Sequence, residues 1–505
     1  MTDSSPPCPA PFNLTAHVLA RAAELQDKPA LEVLGDAPQV YSYARLQAAV
    51  RGCGTLLLQQ GLPPGARVLM RLGNSPAFPV LFLAAIAVGL VPVPTSAALT
   101  GPEITRMAAA IAPALIVAEP GIALPEIDCP VLSGEAVLAA EGLPPCDYQM
   151  GDPERLAYIV FTSGTSGRAL PVMHAHRAIW ARRMMRDGWE GLRASDRLLH
   201  AGAFNWTYTL GTGLMDPWVA GATALIPAAG TAAADLPGML VQARATIFAA
   251  APGVFRQMLR ARVPALPDLR HALSAGEAMP QAVAADWRAA TGTLVHQAFG
   301  MSECSTFISG APDRPAPPGL IGYPQPGRRV AVLDADGGPV GLGDAGTLAV
   351  HRSDPGLMLG YFGMAEETAA RFAGDWFLTG DQVSEAADGA LRYLGRGDDM
   401  MNPGGFRVSP LEVEAVLSRT AGVQECAVVE VEVAPGSRII ACIYTAATEI
   451  AEADLLDHAM ANLARYKQPR GYIRLDALPR NANNKLNRSE LRLIAAQHLC
   501  PQEGP

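Results

Sequence analysis

Apolar residues along the chain fall in short runs that alternate with helical patterns. Ala66–Leu72 (ARVLMRL) predicts a strand, and Asn74-Ser75 then caps a predicted helix that runs through Val88. Leu90–Val93 predicts a second strand. Thr100–Ala112 predicts a helix with a Thr cap and an acid in its first turn. Ala114–Ala118 predicts a third strand. This βαβαβ rhythm implies a parallel-type sheet covered by helices. It recurs at Arg197–Ala201, Ala222–Ile226, Thr246–Ala249 and Ala272–Ser274. The most apolar run, Ala77–Pro92, is shorter than the roughly 20 residues of a bilayer helix, and it holds Pro79 and Gly89. It reads as a buried helix feeding a strand, so no membrane span is expected. No repeat with a period of about 20–50 residues is evident, which argues against a solenoid.

Past about Pro312 the pattern changes. Gly and Pro become dense, and short β-type runs appear at Arg329–Asp334, Gly346–His351 and Leu391–Leu394. After Gly395 it shifts again. Pro410–Ser418 and Asp454–Ala464 predict helices, and Ala427–Val433 with Arg438–Tyr444 predict paired strands around a Pro435-Gly436 turn. The expected fold class is therefore α/β. A large N-terminal domain of parallel-type sheets with helices, plus a β-rich subdomain, is expected over residues 1–396. A small mobile α+β C-terminal domain is expected over residues 397–505. The junction Gly395–Asp399 is small and polar, as a hinge would be.

Composition narrows the function classes. Half of the 505 residues are hydrophobic, so wholesale disorder is excluded. The net charge of −9 argues against nucleic acid as a partner, because phosphate neutralisation needs clustered Lys and Arg. The 8 cysteines are scattered with no C-x-x-C pair, so neither a zinc site nor a disulfide framework is expected. Met1–Pro11 is polar and Pro-rich, without a basic start or an apolar segment, so no export signal is expected. Reduced thiols in a cytoplasmic enzyme are the resulting expectation.

The strongest local signal is Tyr158–Gly167 (YIVFTSGTSG). An apolar strand enters a loop of Thr162, Ser163, Gly164, Thr165, Ser166 and Gly167. Hydroxyls and free backbone N–H groups in such a loop can wrap a polyphosphate, and glycines let the backbone come close. It is not the common G-x-x-x-x-G-K-S/T loop, and an ordinary turn has the same composition. His174 and His176 invite a metal reading, but no partnering Cys or carboxylate cluster lies near them in the sequence.

Together with Ser274–Pro280 (SAGEAMP), Phe299–Glu303 (FGMSE), Trp376–Asp381 (WFLTGD), Tyr393–Asp399 (YLGRGDD) and Lys485, this loop resembles the adenylate-forming ligases. These include acyl- and aryl-CoA synthetases, free-standing adenylation domains and luciferases. The motifs stand in family order from roughly Leu14 to Arg492 and look most like the benzoate-type and medium-chain acyl-CoA ligases. The resemblance implies two half-reactions. A carboxylate attacks the α-phosphate of Mg·ATP to give acyl-AMP and pyrophosphate. The small domain then rotates, and the thiol of CoA displaces AMP. Mg²⁺ is the implied metal, ATP and CoA the implied co-substrates, and a small-molecule carboxylate the implied substrate. A homodimer is allowed for.

The family's roles carry over to matching positions. Glu303 is implied as the Mg²⁺ ligand, which suits a metal that takes one or two carboxylates plus phosphates. Ser302, where the family mostly has Thr, is implied to bond the α-phosphate. Phe299 stands where Tyr is frequent, beside Gly300. Ser274, Ala275, Gly276 and Glu277 are implied to face adenine. Asp381 is implied to accept from both ribose hydroxyls and Arg396 to reach ribose or phosphate; an ordinary surface ion pair is the alternative. Asp398 matches the hinge residue and Gly405 the glycine lining the thiol tunnel. Lys485 is implied to stabilise negative charge during adenylation. One departure matters: the usual phosphate-loop Lys is Leu170 here, with Arg168 two residues earlier to supply charge instead.

The acyl pocket is implied to follow the strand ending near His200, where Phe204, Asn205 and Trp206 offer largely aromatic surface. No acid accompanies them to bind a substrate ammonium, which disfavours amino acids. A small aromatic or a short- to medium-chain acid is the expected substrate. The rivals are an acyl-AMP ligase that loads a carrier protein, and a nucleotide- or acyl-binding homologue without turnover.

Overall fold

The computed structural model describes residues 6–162, 169–401, 408–434, 437–480 and 486–499. Their contacts group into two compact units. The first holds Met1–Thr162, Ala169–Arg329 and His351–Asp375. The second holds Val330–Val350 and Trp376–Pro505, so the Gly395–Asp399 junction lies inside it.

The first unit is built on a nine-stranded sheet. Its parallel centre places Val295–Met301, His271–Ala275, Ile247–Ala250, Arg197–His200, Thr223–Pro227 and Pro29–Leu34 side by side. Antiparallel strands close both edges: Gln39–Ser42 on one, Ser305–Ser309 and Tyr323–Pro324 on the other. The sheet is thus mixed where the βαβ rhythm implied parallel pairing, because hairpin connections at the edges need no crossover. Both faces of the centre are buried, which explains its near-continuous apolar strands. Leu199, Phe248, Ala250 and Ala272 pack with Phe255 and Trp287 on one side. Leu198, Ile247, Ala249 and Leu273 pack with Trp189 and Tyr208 on the other.

A four-stranded parallel sheet carries Val91–Pro94, Arg67–Arg71, Leu115–Ala118 and Val131–Ser133. Helix Gly101–Ile111 lays Ile104, Ala108 and Ile111 on it, at the spacing of one helix face. The Glu103 carboxylate accepts from both the N–H and the hydroxyl of Thr100, as the Thr-acid start predicted. Helix Ala77–Ala87 is buried on every side, as its uniform hydrophobicity requires. Among the described residues no helix is long and apolar enough to cross a membrane. Asn74 and Ser75 do not cap this helix. Its N-cap is Pro76, with no side-chain bond, and the two polar side chains are engaged elsewhere.

In the second unit, Val330–Leu333 pairs with Ala345–His351, and Trp376–Glu385 pairs with Leu391–Arg396, both antiparallel. A three-stranded sheet follows: Val423–Ala434, Ser437–Ala446 and Gly471–Arg474. Period-2 alternation divides its residues between two cores. Val428, Ile440 and Cys442 face helices Pro410–Leu417 and Glu452–Asn462, whereas Ala427, Val429, Ala441 and Ile443 face helix Arg488–Leu499.

Candidate active site

In open α/β sheets, ligands bind outside the carboxyl ends of the parallel strands. Three of the expected site segments leave the nine-stranded sheet at that edge. Ala201 onward follows Arg197–His200, the Ser274–Glu277 loop ends His271–Ala275, and Phe299–Glu303 ends Val295–Met301. Register aligns their starts: His200 pairs with Ala249, Ala250 with Ser274, and Ala275 with Ala298. Tyr208 adds a tie, since its buried hydroxyl donates to the Leu273 carbonyl at 3.1 Å.

The turn that carries Glu303 is held from several sides. Gly300 sits at a bulge opposite Thr306, where a Cβ would stand 2.3 Å from the Ser305 carbonyl oxygen, so only glycine fits. Ser305 adopts a left-handed φ of 58°, and its hydroxyl receives the buried Arg182 guanidinium at 2.5 Å. Arg182 itself is anchored by the Asp216 carboxylate. The Ser302 carbonyl receives His174 Nε2 at 2.8 Å, and the Glu303 carbonyl receives the Met358 N–H at 2.8 Å. Glu303 is 7% exposed, and Tyr361 donates its hydroxyl to Oε1 at 2.8 Å. Ser302 is half-buried beside it.

Arg328 is the deepest of these supports. Its side chain is 2% exposed, pairs with a fully buried Asp354 at 2.8 Å, and donates to the Cys304 and Thr306 carbonyls at 2.9 Å each. Removing one partner leaves an uncompensated buried charge, which costs about 3–5 kcal/mol. Arg328→Ala is therefore expected to lower the urea unfolding midpoint strongly; an unchanged midpoint would show that water reaches Asp354.

The hydroxyl-rich loop grows from a hairpin. Leu156–Phe161 pairs antiparallel with Pro171–Ala175. Thr162 donates its N–H to the Leu170 carbonyl at 2.9 Å and accepts the Leu170 N–H on its hydroxyl at 3.0 Å. Leu170, in the expected lysine position, thus contributes backbone to the neck of the loop. Ser163, Gly164, Thr165, Ser166, Gly167 and Arg168 lie outside the described residues. The hairpin adjoins the Glu303 turn through His174, whose ring stacks on Tyr158 at 4.8 Å. Burial lowers the His174 pKa to about 4, so it is a neutral donor through Nε2. Among the described residues no group of three or more His, Cys, Asp or Glu is placed to hold a metal.

The remaining first-unit residues take varied places. Ser274 is buried with its hydroxyl unpartnered, Ala275 is buried, Gly276 turns the chain with a φ of +94°, and Glu277 is half-buried. Phe299 is half-buried and meets Phe307 edge-on at 5.5 Å. Phe204 is 1% exposed and packs on Phe78 at 5.5 Å, while Asn205 and Trp206 are half-buried.

Asp381, Arg396 and Asp398 belong to the second unit. Asp381 is 4% exposed, and its Oδ1 accepts from the Tyr393 hydroxyl at 2.9 Å. Arg396 donates to the Thr379 carbonyl at 3.1 Å and lies 3.5 Å from Asp381 and 3.4 Å from Asp398. Burial raises the Asp381 pKa, against the opposing pull of Arg396. Asp398 is exposed, whereas its neighbour Asp399 pairs with Arg492 at 2.5 Å. Gly405 and Lys485 lie outside the described residues.

Comparison with known proteins agrees with these motifs. The family described as AMP-binding enzyme matches residues 18–362, and the AMP-binding enzyme C-terminal domain matches residues 412–485. The 3-hydroxybenzoate–CoA ligase of Aromatoleum sp. (strain CIB) is 30% identical over 95% of this chain and 96% of its own. The benzoate–CoA ligase of Thauera aromatica is 31% identical over 90% of each. The crystal structure of the anthranilate CoA ligase AuaEII in complex with anthranoyl-AMP shares a TM-score of 0.89 at 25% identity, covering 99% of both chains.

Proposed function

This chain belongs to the AMP-binding enzyme family, and from that premise we propose that it is an ATP-dependent, AMP-forming carboxylate–CoA ligase for a small aromatic acid. The observation that carries this reading is the convergence, on one sheet edge, of the Ala201 segment, the Ser274–Glu277 loop and the Glu303 turn. Its near full-length likeness to ligases named for benzoate, hydroxybenzoate and anthranilate supports the aromatic class.

The chemistry needs activation because a carboxylate is a poor acyl donor. In the first step a carboxylate oxygen bonds to the α-phosphorus while the bridge to the β-phosphate breaks, releasing pyrophosphate. In the second, a thiolate attacks the acyl carbon and AMP leaves. Within the first unit, Ser274–Glu277 offers a small-residue surface for adenine, and Thr162 and Ser302 offer hydroxyls to phosphate. A buried carboxylate at Glu303, with no cage of further His, Cys, Asp or Glu ligands among the described residues, fits Mg²⁺, which takes one or two carboxylates and completes its shell with phosphate and water. The metal supplies charge neutralisation on the phosphates when bound. Asp381 and Arg396 are assigned to ribose, Asp398 to the hinge, Gly405 to the thiol path and Lys485 to the adenylation step.

The test is a panel assay. The chain is incubated with ATP, Mg²⁺ and CoA against benzoate, its hydroxy and amino derivatives, and hexanoate. Pyrophosphate release with CoA-thioester formation, strongest for one aromatic acid, is the expected outcome. Pyrophosphate without a thioester would indicate a carrier-protein acceptor. Nucleotide binding without pyrophosphate would leave only a binding homologue.

A further inference from the structure

We propose that Asn74 is a positioning residue for the acyl segment, fixing the backbone from which Phe204 and Trp206 project. This rests on the ligase reading above and deepens it. The Asn74 amide works as a two-sided clasp. Its Nδ2 donates to the Gly202 carbonyl at 2.8 Å, and its Oδ1 accepts the Phe204 N–H at 3.0 Å. Both groups of the side chain are therefore spent on one three-residue stretch, 128 and 130 positions away in the chain.

The clasp is itself held. Asn74 lies in the turn after Arg67–Arg71, and Glu119, just past Leu115–Ala118, grips that turn on both flanks. One Glu119 carboxylate oxygen accepts the Gly73 N–H at 2.8 Å, and the other accepts the Ser75 hydroxyl. Parallel pairing of the two strands sets this geometry, since Arg71 is in register with Ala118. The grip therefore runs from the four-stranded sheet, through residues 73–75, to the segment that leaves the nine-stranded sheet.

The clasped stretch has little freedom to be displaced harmlessly. A Cβ at Gly202 would stand 2.3 Å from Thr209 Oγ1 and 2.8 Å from the His200 ring, so the backbone there lies against both side chains. Phe204, two residues on, packs on Phe78 of the helix that begins just after the Asn74 turn. Releasing the clasp frees the Gly202 carbonyl and the Phe204 N–H together. The affected surface is the acyl segment, while the Ser274–Glu277 loop and the Glu303 turn keep their own supports.

Asn74→Ala is tested beside Asn74→Asp, whose carboxylate still accepts the Phe204 N–H but cannot donate to Gly202. Two readouts are taken: steady-state kinetics on the aromatic acid that the wild type prefers, and hydrogen exchange of the peptide spanning residues 202–206. For Asn74→Ala the expected result is a fall of about tenfold in kcat/KM for the acid, with the ATP KM within about twofold of wild type. The Phe204 amide is expected to exchange about tenfold faster. Asn74→Asp should restore the Phe204 protection, and Asn74→Ser, too short to hold both groups, replaces the alanine variant if that one does not fold. Unchanged acid kinetics, or equal losses for acid and ATP, would overturn the inference. A wild type inert on every acid would sink the ligase reading instead; the exchange readout then decides the clasp alone, unchanged Phe204 protection overturning it.

Discussion

Glu303→Gln is expected to slow acyl-AMP formation by roughly 10²–10³, with the fold intact. Gln has the shape of Glu, and its amide oxygen can still accept from the Tyr361 hydroxyl that lies 2.8 Å from Oε1. The supports of the turn, from His174, Arg328 and Met358 to its backbone and from Arg182 to the Ser305 hydroxyl, do not involve the carboxylate. The substitution therefore removes one negative charge and little else. That charge is what a Mg·ATP complex would engage. Pyrophosphate release measured across a Mg²⁺ titration should show a lower rate and a higher metal requirement. Calorimetric binding of Mg·ATP should weaken in parallel. An unchanged rate and unchanged metal dependence would remove Glu303 from the metal role. Tyr361→Phe, which leaves the charge but frees Oε1, should have a smaller effect in the same direction.

Stability should collapse between about pH 6.5 and pH 4, because five histidines are buried as neutral rings. Burial is the leading cause at each. It lowers the pKa to about 4 at His174, His271 and His296, and to about 3 at His176 and His200. In the unfolded chain each ring titrates near 6.5. The folded pKa lies below the unfolded one, so the unfolded state binds more protons in this window. The contribution is complete above pH 6.5 and is lost as pH falls toward the folded values. Each ring contributes up to about 1.4 kcal/mol per pH unit, and a whole domain holds only about 5–15 kcal/mol. Urea midpoints measured from pH 7.5 down to 4.5 should fall steeply with uptake of several protons. A flat profile would mean that the rings carry charge in the folded protein. His200 offers a clean subtraction: both ring nitrogens are buried without partners, so His200→Leu should flatten the slope by about one proton.

Much of the architecture was legible from periodicity. The strands at Arg67–Arg71, Leu115–Ala118, Arg197–His200 and Ile247–Ala250 fall within a residue or so of the apolar runs that predict them. Such runs carry their own signal because both faces of each strand are buried. The Ser274, Phe299 and Glu303 motifs could also be found, since each is a compact local pattern. What the chain did not reveal was partnership across long separations. Tyr361 meets Glu303 across 58 residues, and His174 meets Ser302 across 128. Nothing within a few residues of either signals the other. Asn74 shows the ambiguity most clearly. An Asn-Ser pair before an apolar helix reads as a cap, yet Pro76 already begins that helix and the amide is free for Gly202 and Phe204. Side-chain chemistry predicted that Asn74 would satisfy backbone groups; only the fold could say whose.

The wholly buried helix Ala77–Ala87 has a consequence for synthesis in the cell. Its covering partners include Phe204, which the ribosome adds well over a hundred residues after Phe78. At typical elongation rates that interval is on the order of ten seconds. For that time helix Tyr43–Gln59, already made, can cover this eleven-residue uncharged segment in part, but Phe204 cannot yet cover Phe78, so productive expression should respond to chaperone supply.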